Sequence, residues 1–316
     1  LFLLAIVSTW FFVFLMTRAE TFIQLLPIVV SYAFCFSPVM PFIDNAVIEQ
    51  YGESEYGRQR VWGSYGWGLG GAVAGTIIAA SGLIWAFILF LVIYIPLFLI
   101  GTRLPMSPYK PSSNFWAELR QLLSHRPWLL FLAVATIEAI SLSEFLNYLF
   151  LYLDTLGTSA RIMGLTLTFA TLSEIPVFLY SRRLLARWSP AFLLAISLSF
   201  TVIRSFGYIA MTEPWQVLVI SLLHGPTFGL MWVAGVAYAN EIAPPGLGTT
   251  AQAVFTGLVM GLGSALGAFS GGLLYDAYGP RSIFYFAGFS ALLATAVFIF
   301  ANRTAFLKQL QPAHGP

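Results

Sequence analysis

Seven ionisable residues stand inside otherwise apolar stretches: Asp44, Arg60, Glu138, Glu144, Glu174, Arg204 and His224. These types can bind polar or charged solutes and exchange protons. The histidines at 125, 224 and 314 are scattered, and neither HExxH nor GxSxG occurs. The set therefore offers no metal or nucleophile constellation, and the chain is not read as an enzyme. No cofactor is implied. An ionisable group costs at least a few kcal/mol at the centre of a bilayer and usually faces a bundle interior or water.

Composition explains why these groups matter. Of 316 residues, 59% are apolar and 9% are charged. A soluble domain carries about a quarter charged residues, so lipid must be the solvent for most of this surface. The net charge of +2 comes without a basic stripe, which argues against a nucleic-acid partner. Cys35 is the single cysteine, so no internal disulfide can form.

A helix needs about 20 apolar residues to cross the hydrocarbon core. Ten stretches approach that length: 1–17, 21–48, 58–80, 83–101, 127–153, 160–184, 190–211, 214–241, 247–275 and 281–302. They lack the period-two alternation of a membrane barrel. The fold class expected is an all-α polytopic membrane protein. One alternate set of connections holds Arg58, Arg60, Arg103, Lys110, Arg120, Arg126, Arg182, Arg183, Arg187, Arg303 and Lys308. The other holds only Arg18, Arg161 and Arg281. By the positive-inside rule the first set is cytoplasmic, as are both chain ends. The connection 242–246 is the exception, with no basic residue.

The organisation expected is an N-terminal bundle over 1–101, a cytoplasmic linker over 102–126, a C-terminal bundle over 127–302 and a tail over 303–316. The linker contains Pro105, Pro108 and Pro111 and closes on an amphipathic piece around Trp116–Leu123. A repeat joins the bundles: SPVMPFID followed by GSYGWGLGGAVAG, and GPTFGLMWVAG followed by FTGLVMGLGSALGAFSGG. Each is a Pro-bearing helix followed by a Gly-rich one. The spacings Gly66–Gly70, Gly71–Gly75, Gly257–Gly261 and Gly263–Gly267–Gly271 either allow tight packing or let helices slide at the seam of two halves.

Each buried charge has two readings. Asp44 and Arg60, one hairpin apart, either lower each other's burial cost or snorkel to the interface. Glu144 shares a face with Ser141, Asn147, Tyr148 and Tyr152, as cavity lining or as an interhelical hydrogen-bond ladder. Glu138 falls on a different face and reads as an interface residue. Glu174 lies two residues before Pro176, where a proline opens the helix, and could carry a proton. Arg204 has no acid in its own helix and needs a partner elsewhere or a substrate anion. His224 precedes Gly225 and Pro226, a breakable point, and is either a proton carrier or a neutral hydrogen-bonded ring.

Four stretches carry a family resemblance: FSPVMPFID (36–44), YGRQRVWGSYGWGLGGAVAG (56–75), LSEIPVFLYSRRLL (172–185), and Arg204 with His224 in LLHGPTFG. They resemble the major facilitator superfamily, in the branch of lactose permease, the 3-phenylpropionate transporter and nucleoside–proton symporters. The resemblance implies twelve helices in two bundles, of which this chain would hold the third to the twelfth. The start inside an apolar run at Leu1 agrees with that expectation. Arg60 is similar to the substrate-contacting arginine of the sugar-transporting members, and Trp67 to their stacking tryptophan. Glu174, Arg204 and His224 are similar to their coupling acid, arginine and histidine. Asp44 lies near the acid of the fourth helix, with a small offset. Ser221 stands where those members carry a lysine, and Thr227 where they carry a proton-carrying acid.

The function expected is secondary active transport of a small organic solute, by alternating access and proton symport. The expected substrate-binding residues are Arg60, Trp67, Glu144, Asn147 and Arg204. Those expected to couple protons are Glu174, His224 and Asp44. The expected partners are a sugar, nucleoside or aromatic acid, H+ and the lipid bilayer of the cell membrane, with the protein as a monomer. An exporter or uniporter, a receptor-like member and a truncated inactive copy are the alternatives.

Overall fold

The computed structural model of the protein describes residues 2–51, 53–104, 114–303 and 306. Its regular structure among these residues is helical throughout. That is what a bilayer demands, because a helix satisfies its backbone polar groups internally.

The chain divides into two compact units, Leu1–Lys110 and Pro111–Pro316. The first holds α1 (Phe2–Met16), α2 (Phe22–Phe36), α3 (Val39–Tyr51), α4 (Glu53–Ser81) and α5 (Ile84–Gly101). Within it α1 packs on α2, α3 and α5, around Phe2, Ile6, Val39 and Tyr94. The stretch 21–48, expected as one span, is two helices with a turn at Ser37–Pro38. Ser37 keeps helical torsions and its bond to the Ala33 carbonyl, but Pro38 has no N–H to continue the ladder of α2.

The second unit begins with α6 (Phe115–Ser124), the amphipathic piece expected after the prolines; Leu122 on it is fully buried. The linker residues 105–113 and the tail at 304–305 and 307–316 lie outside the described residues. The helices α7 (Arg126–Thr155), α8 (Ala160–Leu179), α9 (Ser181–Arg187) and α10 (Pro190–Ala210) follow. Next come α11 (Gln216–Ser221) and α12 (Leu230–Ile242), joined through a π turn at Gly225–Gly229. A second π turn, Leu258–Gly263, joins α13 (Gly248–Gly257) to α14 (Ser264–Tyr278), and α15 (Arg281–Ala301) completes the unit.

The starts of the helices are legible locally. The Ser159 hydroxyl accepts from the Ile162 N–H at 3.4 Å to cap α8. Ser189 caps α10 in the same way through Phe192 at 3.3 Å, with Pro190 in the first turn. α7 packs on α14 and α15, and α10 packs on α15 and α12. Their shared core is aromatic: Trp128, Phe131, Tyr152, Tyr208, Phe255, Phe284 and Phe298 are fully buried.

Among the described residues, seven helical stretches are long and apolar enough to cross a membrane: α5, α7, α8, α10, Gln216–Ile242, Thr250–Tyr278 and α15. Helices also run along the other three expected stretches. Of these, α1 and α2 have only 15 residues each, and α4 opens on the charged run before Val61. Large apolar side chains such as Ile23 and Phe34 stay outward, as lipid-facing residues do.

The glycine spacings divide into two kinds. Gly263, Gly267 and Gly271 sit directly against α7; a Cβ on Gly267 would press into the Ile140 carbonyl and the Ser143 side chain. Nothing stands within 4 Å of a Cβ built on Gly66, Gly70, Gly257 or Gly261. Against those four open positions, the Gly263–Gly267–Gly271 stripe is close-packed on α7.

Candidate functional site

Three elements of the second unit bring the mid-span charges together. The buried face of α10 carries Ser197, Thr201, Arg204, Ser205 and Tyr208, spaced by helical turns. His224 stands immediately before the π turn Gly225–Gly229. π turns inside helices are frequent at functional sites. Gly225 lets this segment lie on α8: a Cβ there would overlap the Ser173 carbonyl. Its N–H donates to Ser173 Oγ at 2.8 Å. That contact sets Glu174, the next residue of α8, beside the His224 ring.

Arg204 Nη1 lies 2.9 Å from His224 Nδ1. His224 Nε2 lies 2.8 Å from Glu174 Oε1. A guanidinium can only donate, so Nδ1 accepts and the ring proton of His224 sits on Nε2, where it donates to the carboxylate. Arg204 thereby fixes the tautomer, and His224 transmits between arginine and acid. Arg204 Nη1 also donates to Thr227 Oγ1 at 3.0 Å, and its Nε donates to Tyr208 Oη at 3.1 Å. The guanidinium lies over the Phe145 ring, 4.8 Å from its centroid. Cation–π contact of this kind stabilises a desolvated cation by about 2 kcal/mol. Thr227 in turn donates to the His224 carbonyl at 3.1 Å, and its own carbonyl accepts from Ser197 Oγ at 2.6 Å. Ser221 turns away and donates to the Val217 carbonyl in its own helix.

The remaining expected residues lie elsewhere. Glu144 is fully buried and accepts from Ser270 Oγ of α14 at 3.4 Å. Along the same seam Ser143 donates to the Ser264 carbonyl at 2.7 Å, and Tyr148 donates to the Ala268 carbonyl. Asn147 is exposed and donates to the Ser143 carbonyl at 2.8 Å. Of the polar stripe of α7, Glu144 and Tyr148 thus bond across to α14, whereas Ser141 donates to the Ala287 carbonyl of α15 and Tyr152 to the Tyr208 carbonyl of α10. Trp67 on α4 is 58% exposed, and Asp44 on α3 is half-buried. The Arg60 side chain lies outside the described residues.

Sequence reasoning ranked Glu138 low, yet it is fully buried and bonded to Thr201 of α10. It lies within electrostatic reach of Arg204. Thr201, Thr227, Tyr208 and Phe145 were not singled out as contacts of the charges. The four-residue spacing Ser197–Thr201–Ser205, flanking Arg204, was the available signal.

The fold is that of a multi-pass α-helical membrane protein with a buried chain of acid, imidazole and guanidinium. Residues 1–286 match the MFS_1 like family, and the chain belongs to it, within the major facilitator superfamily of membrane transporters. It is 26% identical over 269 residues to the maltose permease of Geobacillus stearothermophilus, covering 83% of this chain and 68% of that one. It is 25% identical over 286 residues to the probable 3-phenylpropionic acid transporter of Escherichia coli, covering 85% and 72%. A crystal structure of the nucleoside transporter NupG superposes with a TM-score of 0.71 at 15% identity, covering 96% of this chain and 82% of that one. The chain spans 64% of an uncharacterized transporter of Bacillus subtilis, YwbF. It spans 25% of the major facilitator superfamily domain-containing protein 6-like protein A of Xenopus laevis.

Proposed function

We propose that the protein is a proton-coupled symporter of a small organic solute, working by alternating access. The observation that carries this reading is the Glu174–His224–Arg204 chain. It joins a carboxylate to a buried guanidinium through one imidazole of fixed tautomer.

In this mechanism Glu174 takes up the coupling proton. Neutralising the carboxylate weakens its hold on the Nε2–H of His224, and the imidazole loosens from Arg204. The guanidinium can then turn its N–H groups to a polar or anionic group of the solute. Its planar fork suits such groups better than a lysine would. Arg60, Trp67, Glu144 and Asn147 are the further substrate-binding residues, and Asp44 is a second coupling acid. The domains are the bundles 1–101 and 127–302 with a cytoplasmic linker over 102–126. The protein acts as a monomer in the cell membrane, with both ends of this chain on the cytoplasmic side.

The solute belongs to the chemistry named for the similar proteins: a sugar, a nucleoside or an aromatic acid. The test is uptake of labelled maltose, nucleosides and phenylpropionate by proteoliposomes, with and without an imposed inward proton gradient. Uptake of one class that rises with the gradient supports the reading. Uptake that proceeds equally without it refutes coupling and leaves a uniporter.

A further inference from the structure

We infer that Glu138 is a further proton-exchanging carboxyl of the transport core, linked to Arg204 across the contacts of Thr201, Ser197 and Thr227. This rests on the coupled-transport reading above but concerns a different residue and a different helix.

Glu138 is 1% exposed, in the middle of α7. Phe131, Ala135, Leu198, Met231 and Phe255 line a small apolar hollow against it. One carboxyl oxygen, Oε1, meets the Thr201 hydroxyl. The other, Oε2, is buried with no hydrogen-bond partner among the described residues. A bare anionic oxygen in such surroundings is expensive, so the hydrogen-bonding pattern must also serve a neutral acid.

Hydrogen counting shows that it serves both states. Thr201 has one hydroxyl proton and two acceptors in reach, Glu138 Oε1 and the Ser197 carbonyl at 3.3 Å. With Glu138 protonated, its O–H donates to Thr201 Oγ1, and Thr201 donates on to the Ser197 carbonyl. With Glu138 ionised, the Thr201 hydroxyl rotates and donates to Oε1. The Ser197 carbonyl still holds its helical bond. One rotor therefore accommodates uptake or release of a single proton, exchanged with water, with the Thr201 hydroxyl trading the Ser197 carbonyl for the carboxylate.

The same residues touch the charged cluster through their other polar atoms. Ser197 Oγ donates to the Thr227 carbonyl, and the Thr227 hydroxyl accepts from Arg204. Arg204 thus has one carboxyl behind His224 and another behind Thr201, and ionisation of either helps balance its charge. Arg204 is the charged group that faces Glu138. Titratable groups on the other helices against α7 turn elsewhere: Glu118 of α6 to Thr250, Tyr238 of α12 to Asn302, Asp276 of α14 towards Tyr148, and Arg281 of α15 to Tyr152. Glu144 is equally buried, but its partner is Ser270 of α14, off this chain.

The test is infrared difference spectroscopy of the purified protein in lipid, titrated with H+ in H2O and D2O. The expected result is a protonated-carboxyl C=O band that fades as pH rises. It is lost in Glu138→Gln, retained in Glu174→Gln, and retained but shifted in frequency in Thr201→Val. A Glu138→Gln spectrum equal to that of the unmodified protein at every pH overturns the proposal. Should Glu138→Gln not fold, an unshifted band in Thr201→Val overturns it. Gradient-independent uptake by the unmodified protein defeats the coupled-transport reading separately, because it leaves this band unchanged.

Discussion

His224 turns one ring nitrogen to Arg204 and the other to Glu174, at 2.9 and 2.8 Å. An imidazole can do both only as the Nε2–H tautomer, because the arginine cannot accept. A second proton on His224 would set N–H against N–H and part the ring from Arg204. The contact is therefore sensitive to proton movement on either side.

Arg204→Lys should lower uptake by about tenfold or more, equivalent to about 1.4 kcal/mol. An ammonium keeps the charge but cannot reach Tyr208, His224 and Thr227 together from one planar fork. Initial uptake rates in proteoliposomes, normalised to folded protein, check this. Lysine working as well as arginine would mean that only the charge matters.

Gly225→Ala should destabilise the second unit by about 1–3 kcal/mol, the usual cost of overpacking. The added Cβ meets the Ser173 backbone, which cannot swing aside as a side chain can. Thermal unfolding in detergent measures it. An unchanged midpoint would mean that α8 and the π turn do not sit this close.

Glycines of the same spacing should behave differently. Gly267→Ala should cost about 1–3 kcal/mol by forcing α14 off α7, whereas Gly261→Ala meets open space and should be close to neutral. The pair of unfolding midpoints discriminates. Equal effects would show that the stripe is not what seats α14 on α7.

Much of this was legible in the sequence, and the limit has a physical cause. Apolar length announces a membrane helix, and a mid-span Arg, His or Glu announces a polar interior, because both follow from local transfer energies. Glu174, Arg204 and His224 were found that way. Which helix each charge meets is set by tertiary packing. Glu144 and Glu138, six residues apart, fall on different faces of α7. Packing turns Glu144 to Ser270 of α14 and Glu138 to Thr201 of α10. Periodicity separated the two faces but could not tell which one α10 would cover. The turn at Ser37–Pro38 was missed for another reason. The prolines were visible, but hydropathy runs smoothly across them.

Thr227→Val should weaken the charged cluster by about 1 kcal/mol, the net worth of one hydrogen bond. It removes an acceptor from Arg204 and leaves His224 and Tyr208 in place. Chemical denaturation of the two proteins in the same detergent measures the difference. A loss as large as that of an Arg204 truncation would show that Thr227, and not His224, anchors the guanidinium.

The central claim is that the proton acts through Glu174 on the His224–Arg204 contact. The most direct measurement compares the unmodified protein with Glu174→Gln in proteoliposomes, for proton-gradient-driven uptake and for solute exchange without a gradient. The account predicts that the glutamine variant, unable to release a proton, loses gradient-driven uptake and keeps exchange. Gradient-driven uptake that survives in Glu174→Gln at the unmodified rate would contradict it.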